Sequence, residues 1–253
     1  QLKVDKGRAS KTLKGIGYAL KNDMCPHFQG KALADIQPLD CAELQAKIEA
    51  RGAFSTARKV RVWMREIFDY AMVKGRMRSN PATALHVVAL PGPEEQQYPH
   101  LLEHELPDFL RRLRTSKSGY LVRAAAWLTI WTASRPGMIR EAKWSEVDLD
   151  DALWHVPASR MKMRRPHMMP LPIEAVELLR ELKSRTGRSL FIFPGMGQKS
   201  PVISDAAINK CFALIGYKGR MTGHGARHTF TTLMSEHGWN EKWLEQHLAH
   251  KRP

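Results

Sequence analysis

Three cysteines are too few and too scattered to staple a fold. Cys25, Cys41 and Cys211 form no Cys-x-x-Cys motif and are odd in number. That excludes a disulfide framework and fits a reducing cytosol. Long apolar runs are also missing: no stretch approaches the roughly 18 residues of a membrane span, and no signal peptide opens the chain. No tract is of low complexity, and no segment repeats. The last shortage is of negative charge, with 25 Asp and Glu against 40 Lys and Arg and a formal net charge of +15. Such an excess concentrates polyanions around the protein and favours nucleic acid as a partner; a ribosomal-type or merely soluble basic protein is the plainer alternative. With 43% hydrophobic and 26% charged residues in 253, the composition is that of a soluble globular protein of one large or two ordinary domains.

Residues 1–90 read as helical. Apolar residues at Leu13, Ile16, Tyr18, Ala19 and Leu20 give Ser10 to Met24 a loose helical spacing, and Asp40 is placed to cap a helix running through Leu44 and Ile48 to Gly52. A longer helix starts at Ser55 or Thr56 and ends near Gly75. Its apolar face is Val60, Trp63, Met64, Ile67, Phe68, Ala71 and Met72, and its other face carries Arg58, Lys59, Arg61 and Arg65. Such a basic face is most often an ordinary solvated surface, but here it adds to a charge already in excess, as a DNA contact would. Residues 86–104 hold three prolines and no clean period, as a linker would. Helices are expected at Leu106 to Leu113, Tyr120 to Trp131 and Pro136 to about Trp144. The period then shortens: Leu153 to Val156, His167 to Leu171 and Ser189 to Phe193 read as strands, with Arg160 to Arg165 between the first two. Further helices are expected at Ile173 to Leu182, Ser204 to Leu214, Ala226 to His237 and Glu241 to Leu248.

Five residues have the chemistry of a phosphate pocket: Arg135, Lys162, His224, Arg227 and His250. Arg offers a rigid fork of donors, Lys a point charge, and His a proton that moves near neutral pH. Singly, each is unremarkable. Arg135 beside a Pro-Gly turn is also what a surface arginine looks like, and Lys162 competes with Arg160, Arg164 and Arg165, any of which fits a plain phosphate contact. His228 and His247 read as packing or surface histidines. His224 and His228 have the spacing of a zinc pair, yet no HExxH motif and no third ligand accompany them, so no metal is expected.

Taken in order, RPGMIREAKWSEVDL, then WHVPASRMKMRRPHMMPL, then HGARHTF and LAH resemble the tyrosine recombinase (phage integrase) family, with the likeness strongest to integrases of satellite prophages and genomic islands. It covers nearly all of residues 98–253, and residues 1–85 resemble the family's core-binding domain. The resemblance implies a mainly α fold with a small antiparallel β-sheet in two domains, 1–85 and 98–253, joined by a linker at 86–97. It makes Arg135 the first catalytic arginine, Lys162 the hairpin lysine, His224 and Arg227 the H-x-x-R pair, and His250 the later histidine. The implied activity is DNA integration and excision through a 3′-phosphotyrosine, without cofactor. Implied partners are a double-stranded attachment site, three further copies of the protein, and accessory DNA-bending or excision-directionality factors in the bacterial cytosol.

Two departures stand out. The family's acidic residue three positions after the first arginine is Met138 here, so Arg135 is expected to be held less firmly unless Glu141 or another carboxylate substitutes. The nucleophilic tyrosine belongs about ten residues after His250, whereas all five tyrosines precede it. The sequence, opening at Gln1 and stopping at Pro253, therefore reads as a piece of a longer protein that does not itself cut DNA. Two other readings compete: a DNA-binding protein that keeps the fold without the chemistry, and a metal-dependent nuclease using the histidines.

Overall fold

The long basic helix forms where its period puts it. In the computed structural model, which describes residues 10–94, 98–161, 164–195, 197 and 200–249, the first helix, α1, spans Ser10–Ala19 and runs on through a wider turn at Leu20–Met24 to Cys25–His27. Helix α2 is Pro38–Glu49 and α3 is Phe54–Val73. Val60, Trp63, Met64, Phe68 and Ala71 of α3 are buried, at spacings of three and four that keep one stripe inward. Met72, expected on that stripe, is 37% exposed. Helix α3 closes with Gly75 at φ +67, whose N–H donates to Met72 O while Arg76 N donates to Ala71 O. This left-handed turn is one that glycine adopts without steric cost.

Two starts differ from expectation. Helix α3 begins at Phe54 with Ala53 as its cap, so neither Ser55 nor Thr56 caps it. Asp40 lies in the first turn of α2 rather than before it; its Oδ2 accepts from Gln37 N at 2.9 Å and its Oδ1 pairs with Lys31. Pro38, which needs no N–H partner, takes the first helical position instead. Those hydrogen bonds and the Lys31 charge hold the Asp40 carboxyl below its ordinary range.

The chain divides into two compact units, Gln1–Glu95 and Gln96–Pro253. In the second, α4 (Leu106–Arg114), α5 (Tyr120–Thr132) and α6 (Pro136–Arg140) precede three short antiparallel strands, β1 (Val147–Asp148), β2 (Leu153–Val156) and β3 (His167–Pro170). The strand order is β1-β2-β3, with Trp154 opposite Met169 and Val156 opposite His167. Then come α7 (Ile173–Thr186), α8 (Ala207–Phe212), α9 (Gly225–Glu236) and α10 (Glu241–His247). Helix α5 is the hub, touching α6, α7, α8 and α9. Its small buried face of Ala124, Ala125 and Ala126 lets those neighbours approach closely.

Among the described residues, Ser189 to Phe193 forms no strand. Ile192 and Phe193 are consecutive and both buried, which breaks the alternation a strand needs, and only single bridges form, Lys143 to Phe191 and Pro194 to Val202. The same bridging shortens α6. Ala142 O accepts from Ile192 N and the Trp144 indole donates to Thr186 O, so the backbone leaves the helix after Arg140. Strand β1 is an element the sequence reading did not contain.

Candidate phosphate-binding site

Arg135 and Arg227 come together because two helix starts face each other. Helix α5 ends at Thr132, Ala133 turns left-handed at φ +47, and Arg135 becomes the residue before α6, with Pro136 opening that helix. Arg227 lies in the first turn of α9. It is only 9% exposed; Nη1 donates to Ala133 O at 2.6 Å and Nη2 to Leu248 O at 2.8 Å. One guanidinium thus ties the α5–α6 turn, the start of α9 and the end of α10. Burial first, and then the charge of Arg135, push the Arg227 pKa down to about 10, with Glu245 opposing. Burial also lowers that of Arg135.

Two cations drawn into one partly dry region make a place for an anion. No carboxylate pairs with Arg135 among the described residues. Met138 does not supply one, and Glu141 is exposed and makes no such ion pair. What anchors α6 instead is Arg160. Its Nη2 donates to Met138 O at 2.7 Å, and its Nη1 pairs with Glu146, whose Oε2 also accepts from Trp154 Nε1 at 3.2 Å. The Arg160 side chain is 11% exposed and Glu146 lies in the interior. This corrects the expectation for Arg160, which is spent on an internal ion pair rather than offered to a phosphate. The guanidinium is claimed by a carbonyl and by a buried carboxylate that would lose its counter-charge without it.

The other expected residues fall as follows. His224 immediately precedes α9, exposed, with its ring stacked on Tyr98 at 4.8 Å between centroids and 20° between planes. Arg164 and Arg165 are exposed on the β2–β3 connection. In the first unit, Arg58, Lys59 and Arg65 are exposed and Arg61 partly so, all on the outward side of α3. Lys162 and His250 lie outside the described residues.

Two histidines complete the inner wall. His247 bonds Thr132 O at 3.0 Å and stacks on Phe230 at 4.9 Å. His167, on β3, lies near the backbone of His247, and its Nε2 is buried with no partner. Burial lowers the proton affinity of both rings; His247 adds to this for His167, and Arg227 for both. His247 does pack, as expected, but against the arginine cluster. His167 was not singled out at all, since nothing in RRPHMM marks it. Among the described residues no group of three or more His, Cys, Asp or Glu could hold a metal ion.

Comparison with known proteins accounts for this geometry. Residues 99–253 match the model of the phage integrase family, and residues 3–87 that of the phage integrase central domain. The chain therefore belongs to the phage integrase family, the tyrosine recombinases. Among curated relatives, the integrase of Shigella phage Sf6 is 34% identical over 247 residues, covering 95% of this chain and 64% of the relative. Prophage integrase IntZ of Escherichia coli K12 is 37% identical over 238 residues, covering 94% and 58%. The chain thus spans less than two thirds of the length of either. A lambda integrase tetramer bound to a Holliday junction superposes with a TM-score of 0.74 at 20% identity, covering 99% of this chain and 74% of that one. The fold is shared: mainly α, with one small antiparallel sheet.

Proposed function

We propose that this chain comprises the core-binding part (1–85), the linker (86–97) and the catalytic part (98–253) of a site-specific DNA recombinase that integrates and excises a prophage or genomic island. The observation that carries this reading is the tie from the buried Arg227 to the carbonyl of Ala133, two residues before Arg135, which sets two cations near one another with no carboxylate paired to Arg135 among the described residues. Attack by a tyrosine on a phosphodiester passes through a crowded phosphorane with added negative charge. Fixed guanidiniums offset that charge best where water is scarce. In this reading Lys162 protonates the departing 5′ oxygen, while His224 and His250 donate hydrogen bonds or move protons. The covalent 3′-phosphotyrosine conserves bond energy for rejoining, so neither nucleotide nor metal is required. In this reading none of the five tyrosines Tyr18, Tyr70, Tyr98, Tyr120 and Tyr217 is the nucleophile.

Double-stranded DNA is the proposed partner. Arg58, Lys59, Arg61, Arg65, Arg164 and Arg165 would contact its phosphates, and four copies would assemble on two duplexes in the bacterial cytosol, helped by accessory DNA-bending or directionality factors. The test begins with the chain itself, used to select tight-binding duplexes from a random pool. The chain is then extended past Pro253 with the carboxy-terminal segment of the Sf6 integrase and mixed with the selected duplex, nicked to trap the intermediate. A chelator-resistant covalent adduct is expected. Tight binding with no adduct would favour a binding protein that has lost its chemistry, and loss of cleavage with chelator would favour a metal-dependent nuclease.

A further inference from the structure

Four consecutive residues are strapped across the start of α9. Tyr98 stacks on His224 and lies 6.2 Å, ring to ring, from His228 one turn on. The Pro99 carbonyl presses so close to Gly225 that a Cβ there would lie 1.8 Å from its oxygen. His100 lies 5.9 Å from the His228 ring, and Leu101 N donates to the buried Thr229 hydroxyl at 2.9 Å. Each residue of the strap therefore meets the helix that carries Arg227 or His224 just before it.

We propose that Tyr98 is a positioning residue for His224, which it holds edge-on to the scissile phosphate. This inference rests on the active-site reading above. An exposed imidazole turns readily about its Cβ–Cγ bond, because that torsion is broad. A ring stacked on one face leaves only two orientations, related by a half turn, and both present the ring nitrogens along the plane of the stack. Tyr98 is 52% exposed and takes no part in the hydrophobic core, so its role is not to stabilise the domain. The contact uses the face of the phenol and not its hydroxyl, so phenylalanine should replace it. Arg227, three residues further on, turns inward to Ala133 and Leu248. Of the neighbouring titratable groups, His228 lies near the Tyr98 ring and His100 lies against His228.

The experiment compares Tyr98→Ala, Tyr98→Phe, His224→Ala and the Tyr98→Ala/His224→Ala double variant, in the extended chain on its selected nicked duplex. Tyr98→Ala should form adduct about tenfold more slowly with DNA affinity within about twofold of the parent, the split expected when transition-state geometry is lost but binding is not. Tyr98→Phe should restore most of the rate. The double variant should be no slower than His224→Ala, because Tyr98 acts through that ring. In the unextended chain, the His224 ring protons should lose their aromatic ring-current shift in Tyr98→Ala and keep it in Tyr98→Phe. Tyr98→Leu, which keeps bulk but no ring, repeats every arm should the alanine variant fail to fold. A parental rate in Tyr98→Ala, an equal loss of affinity and rate, or a double variant far slower than His224→Ala would each overturn the proposal. If His224→Ala itself cleaves at the parental rate, the active-site reading fails first, and that outcome is distinct.

Discussion

Arg227 Nη1 donates to the carbonyl of Ala133 across 2.6 Å, joining residues 94 positions apart, and Ala133 stands two residues before Arg135. The bond makes Arg227 a fastener as well as a charge. Without it, the left-handed turn that aims Arg135 loses the donor to Ala133 and keeps only the His247 contact at Thr132, and the end of α10 loses its tie at Leu248. The arrangement of the two arginines is therefore mutual: one is placed by the backbone that the other holds.

Replacing Arg227 with alanine should consequently weaken the domain as well as its chemistry. Two buried carbonyls lose their donor, at a cost of about 2–4 kcal/mol. For a domain of this size that lowers Tm by roughly 5–10 °C. In the extended chain, adduct formation should drop by about 100-fold or more, while DNA affinity, spread over many phosphates, stays within about threefold. Thermal melts and binding titrations on the same preparation check this. A variant with parental Tm would mean that the two carbonyl bonds contribute nothing.

His167 and His247 give stability a pH dependence of definite sign. Burial lowers the proton affinity of each in the fold, so both stay neutral where an unfolded imidazole, with a pKa of about 6.5, takes up a proton. Above that value both states are neutral and the histidines contribute no pH dependence. Below it the unfolded chain binds more protons, so stability falls as the pH drops from the unfolded value toward the lower folded one. Melting curves from pH 8 to pH 5 should show this loss, and His167→Gln or His247→Gln should flatten it. An undiminished slope in both variants would assign the effect to other groups.

Arg160 and the basic face of α3 should separate cleanly in salt titrations. Arg160→Ala strands the Glu146 carboxylate in the interior and should cost about 3–5 kcal/mol, yet leave the salt dependence of DNA binding unchanged. Lys59→Ala and Arg65→Ala should leave Tm almost unmoved and each lower the slope of log affinity against log salt by about 0.9, one phosphate contact apiece. A reduced slope for Arg160→Ala would return it to the DNA surface.

Arg160 also illustrates where sequence stops being legible. It sits in SRMKMRRP beside Arg164 and Arg165, with nothing in type or spacing to set it apart. The distinction is made by Glu146, which the turn at Trp144–Glu146, just before β1, brings beneath it. Local pattern was enough for α3, with its apolar stripe, and for α5, which is apolar almost throughout, and ordered motifs are what single out Arg135, His224 and Arg227 as candidates. Contacts between distant segments were not visible. The stacking of Tyr98 on His224, and the closure of His167 against His247, depend on how α9, α10 and β3 meet. A short strand such as β1 has no period to detect.

Gly225 offers the sharpest test of how closely the strap lies on α9. Helix propensity alone would make alanine preferable there by up to about 1 kcal/mol. Yet a Cβ at this position would lie 1.8 Å from Pro99 O and 2.9 Å from its carbonyl carbon, and these are backbone atoms that cannot swing aside like a long side chain. Either α9 shifts, pulling Arg227 from Ala133, or the strap lifts and loses the bond from Leu101 to Thr229 together with the Tyr98 stack. Gly225→Ala should thus lower Tm by at least about 5 °C, the shift expected for 2 kcal/mol or so in a domain this size. Gly137, in the first turn of α6, is the control: nothing lies within 4 Å of its added Cβ, so Gly137→Ala should leave Tm unchanged or raise it slightly. Equal behaviour of the two alanine variants would show that Pro99 does not press on α9 in solution.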